Sequence, residues 1–231
     1  MNGSNLYRYL NNTRDTKQMN SIIIDSSLCQ TSLCFLCSKA GTDKGPFTPG
    51  GGHRHPYTTP YSLFFEPLRH KNIKFAEVGV HYGASMRVWR AFFSQARLYG
   101  FDNDQKNVMY IDSMKLPNSV LDIMDGSKKE SIVEGFTKHS SDGELFDVII
   151  DDASHSPEDQ AMMIRSALPF LKQGGLLIVE DIFRDRPEKP YEEALLEVKN
   201  LVSFHTFIMC EHTNRFSPGW NNDKMLVIVR A

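Results

Sequence analysis

Short apolar segments alternate with amphipathic segments from residue 61 to residue 231, and this alternation restricts the fold more than any other feature of the sequence. The predicted strands are the apolar segments 73–80, 96–102, 119–125, 146–152 and 175–181. The predicted helices are the segments with apolar residues at helical spacing, 84–93, 127–139, 157–172 and 190–200. Strands that alternate with helices form a mostly parallel sheet covered on both faces. The pattern therefore predicts an α/β fold with a Rossmann-like sheet.

Two further apolar segments, 202–210 and 224–230, have no room for a helix between them. Strands connected in this way pair antiparallel, so a terminal hairpin is expected at the edge of the sheet. The predicted architecture is a seven-stranded, mostly parallel sheet with an antiparallel terminal hairpin and helices on both faces.

The bulk properties exclude several classes of partner. The formal net charge of −2 at pH 7 gives no reason to expect a nucleic-acid or membrane partner. No apolar run approaches the length of about 20 residues that spans a bilayer. The first residues lack the basic-then-apolar pattern of a secretory signal. A cytoplasmic protein is therefore expected.

Three cysteines, Cys29, Cys34 and Cys37, lie close together in the sequence. A zinc site would need distant partners such as Cys210 or the histidines at 53 and 55, because zinc sites use two well-spaced pairs of ligands. Reduced thiols are the preferred interpretation of this cluster.

Acidic residues follow the first three predicted strands. The segment EVGVHYGAS (77–85) contains Gly79 and Gly83, which allow a tight turn and a close approach of a ligand to the backbone. It is not the GxGxxG pattern of a dinucleotide site. Glu77 precedes this turn, Asp102 ends the second strand, and Asp125 ends the third. Ligands bind at the carboxyl ends of parallel strands, where an acid such as Asp102 accepts hydrogen bonds from ribose hydroxyls.

The next two strands end in paired carboxylates, in the motifs DDASH (151–155) and VED (179–181). If these strands are neighbours, Asp152, Glu180 and Asp181 converge, and Mg²⁺ prefers such oxygen ligands. Strand alternation turns Asp151 to the opposite side, where it is a candidate for cofactor contact. His155 would then lie beside the metal as a general base. The alternative is that these acids are helix caps and surface charges.

Taken together, TDKG (42–45), EVGVHYGASMRVW and IDDASH with VED resemble the macrolide-sugar O-methyltransferases of the mycinamicin and macrocin type, which are class I S-adenosylmethionine-dependent enzymes. The resemblance covers about residues 41–231 and implies S-adenosylmethionine and Mg²⁺ as cofactors. It implies His155 as the base and Asp152, Glu180 and Asp181 as metal ligands. The predicted cofactor-binding residues are Thr42, Lys44, Glu77, Gly79, Gly83, Ser85, Asp102, Asp125 and Asp151.

The predicted function is metal-dependent methyl transfer to a hydroxyl of a sugar or glycosylated acceptor. Candidate acceptor residues are His55, Tyr57, Arg184 and Trp220. Residues 1–69 are predicted to be an N-terminal extension with a lid loop for cofactor and substrate, and residues 70–231 the methyltransferase core. The alternatives are a catechol-type or other small-molecule methyltransferase and a non-catalytic binding module. A homo-oligomer is compatible with the sequence.

Overall fold

The computed structural model describes residues 20–231, which contain one eight-stranded sheet. Its strands are β1 (Ser21–Asp25), β2 (Lys74–Val78), β3 (Arg97–Asp102), β4 (Ser119–Ile123), β5 (Phe146–Asp151), β6 (Leu171–Val179), β7 (Val202–Glu211) and β8 (Lys224–Arg230). Their order across the sheet is β1-β7-β8-β6-β5-β2-β3-β4. All the predicted strands are present, and β1 is an addition that the sequence did not predict.

Helices cover both faces of this sheet, as predicted. The helices are α1 (Ser32–Ala40), α2 (Thr58–Phe65), α3 (Ala84–Phe92), α4 (Gln105–Ser113), α5 (Lys129–His139), α6 (Pro157–Ala167) and α7 (Lys189–Glu197). Apolar side chains of α1 to α4 form one core with the sheet, and those of α5 to α7 form the other. The α/β, Rossmann-like architecture is therefore confirmed.

The terminal strands pair antiparallel, as predicted, but the prediction that their hairpin forms the sheet edge is wrong. β8 lies between β6 and β7 and is antiparallel to both. β1 pairs parallel with β7 and forms the edge instead. An N-terminal strand therefore covers the edge that the hairpin would have left open.

Three helices were missed from the sequence. α1 begins after Thr31, whose side chain accepts a hydrogen bond from the backbone of Cys34, and ends at Gly41 with φ 76°. Asp104 caps α4 by accepting a hydrogen bond from the backbone of Lys106 at 2.8 Å. α2 begins at Thr58, inside the N-terminal region (1–69) that was predicted to contain the lid loop. Side-chain caps and a glycine at the helix end were the available signals.

Gly174 and Gly175, just after the helix predicted over 157–172, lie within a strand. The helix predicted over 157–172 ends at Ala167, and β6 already begins at Leu171. Gly174, with φ 75°, lies inside β6 near a shift in its register with β5. The glycines therefore belong to an irregular part of the strand, where a positive φ favours glycine.

The parallel strands place their carboxyl ends side by side. β2 lies between β3 and β5. The chain continues from β2 to β3 and β4 on one side, and then crosses to β5 and β6 on the other side. Such a switch point opens a crevice at the strand ends in α/β sheets. Among residues 20–231, none of the helices combines the length and apolarity needed to cross a membrane.

Candidate active site

A cavity of about 940 Å³ opens at the carboxyl ends of the central strands, next to the loop of residues 41–57. The predicted site residues that line it are Thr42, Lys44, Gly79, Ser85, Asp102, Asp125, Asp152, His155 and Asp181. The predicted site residues outside its lining are Glu77, Gly83, Asp151, Glu180, His55, Tyr57, Arg184 and Trp220. The structure thus brings together the turn after β2, the acids that end β3 and β4, and most of the DDASH and VED motifs.

Gly79 makes the closest backbone approach in the cavity wall. Its φ is 92°, and a Cβ at this position would lie 2.0 Å from the backbone oxygen of Asp152. The Gly79 amide donates to the carbonyl of Phe101 at 2.8 Å, which links β2 to β3. Gly83 has φ 74°, and a Cβ there would lie 2.8 Å from Ile111, so it serves the packing of α3 against α4. Only Gly79 of this pair borders the space available to a ligand.

Asp102 holds the turn that follows β2. Its Oδ2 accepts from the backbone of His81 at 2.7 Å. Its Oδ1 accepts from the backbone of Asp104 at 2.9 Å and from Asn107 Nδ2 at 3.1 Å. A carboxylate offers about four acceptor positions, so Oδ2 retains one, and Asp102 lines the cavity. That position suits a hydroxyl donor.

Asp125 is a second acid at the same end of the cavity. The Lys128 ammonium at 2.7 Å and the Ser127 hydroxyl at 2.6 Å lower the pKa of this carboxyl to about 2. It is therefore ionised throughout the physiological range and presents an acceptor to a donor group of a ligand.

Glu77 is buried behind the cavity wall, in contrast to its predicted role in contacting the cofactor. Its Oε2 accepts from Ser85 Oγ at 2.7 Å and from Trp89 Nε1 at 3.0 Å. Its Oε1 lies 3.3 Å from Lys44 Nζ. The carboxylate therefore anchors α3 and the Lys44 side chain, and Ser85 reaches the cavity in its place.

Lys44 lines the cavity, and its ammonium lies among three carboxylates. Its Nζ lies 2.5 Å from Asp152 Oδ2 and 2.5 Å from Glu180 Oε2. Burial alone would lower the pKa of the ammonium, but the three surrounding carboxylates raise it well above its usual value. The Lys44 side chain is thus an ion-pair partner of the strand-end acids in this structure, where the sequence predicted a cofactor contact.

The carboxylates outnumber this ammonium. Burial raises the pKa of Asp152 to about 6, and mutual repulsion adds to the effect. Burial likewise raises the pKa of Glu180 well above its usual value, although Lys44 acts in the opposite direction. Three carboxylates surround one ammonium, so when they are ionised an additional cation would relieve the excess of negative charge.

Asp152, His155 and Asp181 form the one group of potential metal ligands in residues 20–231, with donor atoms within 4.8 Å of one another. His155 Nε2 lies 3.7 Å from Asp181 Oδ2. Oxygen donors with excess negative charge suit Mg²⁺, so these residues fit a divalent cation. Glu180 is not part of this group, and its carboxylate accepts from Lys44 Nζ and from the hydroxyl of Tyr61. The predicted ligand set is therefore only partly assembled.

His155 lies at the wall of the cavity in a strained conformation. Both His155 and Asp181 have φ 55°, which is uncommon for residues other than glycine. Among the described residues, no group hydrogen-bonds to the buried Nδ1 of His155. Strain of this kind is concentrated at functional sites, and the ring nitrogen Nε2 faces the acids of the predicted metal site.

Asp151 is buried away from the cavity, although it was predicted to contact the cofactor. The backbone amide of Ala153 donates to its Oδ1 at 3.4 Å. Burial raises the pKa of this carboxyl to about 8. A carboxyl in this environment is largely protonated at neutral pH and belongs to the protein interior.

Three of the predicted acceptor residues support the site without lining it. His55 Nδ1 bonds to Asp223 Oδ1 at 2.8 Å. Burial opposes the charged imidazole, but the carboxylates of Asp181 and Asp223 outweigh it and raise the pKa of His55 to about 9. The Tyr57 hydroxyl donates to Asp181 Oδ1 at 2.6 Å. The Arg184 guanidinium donates to backbone carbonyls, including that of Asp223 at 2.8 Å.

Several cavity residues were not predicted. They are Asp43, His81, Tyr82, Arg87, Asn103, Asn107 and Tyr110. Asn103 directly follows β3, so its position at a strand end was an available signal. The contribution of Asn107 and Tyr110 depends on α4, which the sequence did not predict.

Residues 76–182 match the family model of a methyltransferase domain. The chain is 24% identical over 194 residues to mycinamicin VI 2''-O-methyltransferase of Micromonospora griseorubida, a match that covers 78% of this chain and 46% of that protein. It is 23% identical over 193 residues to demethylmacrocin O-methyltransferase of Streptomyces fradiae, with 78% of this chain and 46% of that protein covered.

The fold is similar to that of the MycE methyltransferase from the mycinamycin biosynthetic pathway, solved in complex with Mg, SAH and mycinamycin VI. The TM-score is 0.63 at 19% identity, with 88% of this chain and 55% of that chain covered. The chain spans about half the length of the curated relatives it matches, 46% in both cases above. Residues 76–182 are therefore a methyltransferase domain, and the chain is distantly homologous, over most of its length, to the O-methyltransferases of the mycinamicin and macrocin type.

Proposed function

We propose that this chain is a metal-dependent O-methyltransferase that transfers a methyl group from S-adenosylmethionine to a hydroxyl of a sugar or glycosylated acceptor. One observation carries the proposal. A single cavity is lined by Gly79 and Asp102 and also by Asp152, His155 and Asp181. The first group suits a nucleoside and the second suits a metal-assisted proton transfer.

The cofactor would lie along the turn after β2. The free acceptor position of Asp102 is available to ribose hydroxyls, and Asp125 is available to the adenine amine. Thr42 and Ser85 border the same space. Glu77, Gly83 and Asp151 act indirectly, through the turn and the packing beneath it.

When bound, S-adenosylmethionine would supply an activated methyl group, and Mg²⁺ would lower the pKa of a hydroxyl beside it. Asp152 and Asp181 would hold the metal, whereas the carboxylate of Glu180 accepts from Lys44 and Tyr61. His155 accepts the hydroxyl proton as the acceptor oxygen forms its bond to the methyl carbon. The methyl–sulfur bond breaks, and S-adenosylhomocysteine leaves as a neutral thioether.

The loop of residues 41–57 is the proposed lid of this site, as part of an N-terminal region (1–69) that precedes the core (70–231). It is fastened to the acidic strand ends, because Lys44 contacts Asp152 and Tyr57 contacts Asp181. A cytoplasmic location and a homo-oligomeric state stay predictions.

Calorimetry with S-adenosylhomocysteine tests the cofactor, and transfer of a labelled methyl group to a panel of sugars and glycosides tests the activity. We expect Asp102→Ala to weaken S-adenosylhomocysteine binding at least tenfold, because it removes both the ribose acceptor and the support of the turn. Asp112→Ala, on the exposed end of α4, is the matched control and should bind normally. Tight NAD binding without S-adenosylhomocysteine binding would contradict the proposal. Methylation of catechols but of no glycoside would favour the catechol-type alternative.

A further inference from the structure

Trp220 stands between the cavity described above and a second depression. The second depression has a volume of about 520 Å³ and is lined by Phe183, Asp185, Arg186, Gly219, Trp220 and Asn221. The ring of Trp220 lies 6.2 Å from that of His155, edge to face, and 5.3 Å from that of His53. Both histidines line the first cavity. A molecule that reaches His155 can therefore extend over Trp220 into the second depression.

The walls of the second depression are held together by backbone hydrogen bonds. The Arg184 amide donates to the carbonyl of Asn221 at 2.8 Å, which joins the segment after β6 to the loop before β8. The Arg184 guanidinium donates to the carbonyl of Asp223 in the same loop. Gly219, with φ 77°, allows the turn that presents Trp220. The depression is therefore formed before a ligand arrives, which lowers the entropic cost of binding.

Its chemistry is that of a site for a neutral, polyhydroxylated ring. Trp220 is 48% exposed and offers an aromatic face to the C–H groups of such a ring. Asp185 and Arg186 are exposed, and no ion pair in the described part of the chain involves either. The Arg186 guanidinium lies over the Phe183 ring at 3.7 Å, which leaves its edge free to bind hydroxyls. A diphosphate would meet the carboxylate of Asp185 as well as the guanidinium, so the pair disfavours a nucleotide-linked sugar.

We infer that the second depression is a subsite for the sugar unit next to the one that is methylated, so that the acceptor is a glycoside of at least two adjoining rings. The inference rests on the proposed function for the position of the methylated ring. It adds a ligand class and a set of residues for the adjoining ring: Phe183, Asp185, Arg186, Trp220 and Asn221.

The fluorescence of Trp220 can also be used to follow ligand binding. The chain has two tryptophans, and Trp89 is only 1% exposed, so a ligand on the subsite should change the fluorescence of Trp220 alone. The full chain, saturated with S-adenosylhomocysteine and Mg²⁺, would be titrated with glucose, galactose, mannose and rhamnose. Each is supplied as the free sugar, as its nucleotide diphosphate derivative and as the non-reducing unit of a disaccharide.

We expect at least one disaccharide to change the fluorescence saturably, with an affinity at least tenfold above that of its free sugar and its nucleotide derivative. Calorimetry with Trp220→Ala and with Arg186→Gln should show the affinity for that disaccharide reduced about tenfold, which is the value of one aromatic or charged contact. Phe216→Ala is the matched control, since Phe216 is 41% exposed on the same loop but lines neither space. It should bind as the wild type does.

Equal binding of free and linked sugars, tighter binding of the nucleotide derivatives, or no saturable change with any probe overturns the subsite. Methyl transfer to the same panel separates this failure from a failure of the proposed function. Transfer to free sugars that is unaffected in Trp220→Ala would leave the methyltransferase activity standing and remove the subsite. Binding of disaccharides that depends on Trp220, without methyl transfer to any acceptor, would support the subsite and contradict the proposed methyltransferase activity.

Discussion

Replacing Lys44 by methionine should destabilise the protein strongly, because among residues 20–231 its side chain is the cation that contacts the buried carboxylates of Glu77 and Glu180 and the partly buried carboxylate of Asp152. Its Nζ lies 2.5 Å from Asp152, 2.5 Å from Glu180 and 3.3 Å from Glu77, and the side chain is 3% exposed. Methionine fills a similar volume without charge. Removing one partner of a buried ion pair typically costs about 3–5 kcal/mol, since the opposite charge stays buried without compensation.

For a chain of this size, a loss of that magnitude lowers the melting temperature by roughly 6–20 °C. The free energy of unfolding would be measured by urea denaturation at pH 8 in metal-free buffer, where the Asp152 carboxyl, with a pKa of about 6, is ionised. Lys189→Met is the matched control. The Lys189 side chain is 76% exposed and 3.6 Å from Glu193, so its loss should change stability by no more than about 0.5 kcal/mol.

The pH dependence of stability provides a second test of the Lys44→Met variant. Burial raises the pKa of Asp152 and Glu180 in the folded protein, and loss of the ammonium raises both further. A carboxyl with a raised pKa destabilises the folded state when it is ionised, so the variant should regain stability as the pH falls through that pKa. The gap between variant and wild type should therefore narrow from pH 8 towards pH 5. A loss below about 1 kcal/mol at pH 8, or a gap that widens on acidification, would refute this account of the cluster.

Three other outcomes follow from the geometry of the site. Gly79→Ala should cost about 2–3 kcal/mol or more in urea denaturation, because of its positive φ and the contact with Asp152, whereas Gly51→Ala, with open space around it, should be neutral; equal effects would show that the close approach is unimportant. His155→Ala should lower kcat about 10²- to 10⁴-fold in a methyl-transfer assay while calorimetry shows unchanged S-adenosylhomocysteine affinity, and a loss below tenfold would point to another base. Asp181→Asn should weaken Mn²⁺ binding, measured by electron paramagnetic resonance, by about 10- to 100-fold. The control variant Asp112→Asn, at an exposed position, should bind Mn²⁺ as the wild type does. Unchanged binding in Asp181→Asn would place the metal elsewhere.

The central strands were predictable because their signal is local. The segments around β2 and β5 are rich in apolar residues, as expected for parallel strands buried on both faces, and Glu77, Asp151 and Asp152 mark the strand ends. β1 gave no such signal. Its apolar run is limited to Ile22, Ile23 and Ile24, which is shorter than the runs of the central strands, and four of its five residues are exposed. Its pairing with β7 is what defines it as a strand.

The orientation of the site residues was predictable only in part, since it depends on contacts between distant segments. Lys44 and Asp152 are 108 positions apart, and no local pattern indicates that they form an ion pair. Glu180 and Asp181 are neighbours in the sequence, yet their side chains have different surroundings. Asp181 has a positive φ, which no local pattern indicated. Asp181 reaches the cavity, whereas Glu180 faces Lys44 and Tyr61.

The position of β1 at the edge of the sheet has a consequence for the order of folding. Its partner β7 comes near the end of the chain, and Ser26 and Glu211, which hydrogen-bond at 3.1 Å, are 185 positions apart. Contacts between residues so far apart close a large loop and form slowly, because the loop entropy is lost before the contact contributes. During synthesis on the ribosome, β1 must wait until residues 202–211 have emerged before it can pair. Until then its apolar residues, Ile22, Ile23 and Ile24, are available to other strands and to chaperones.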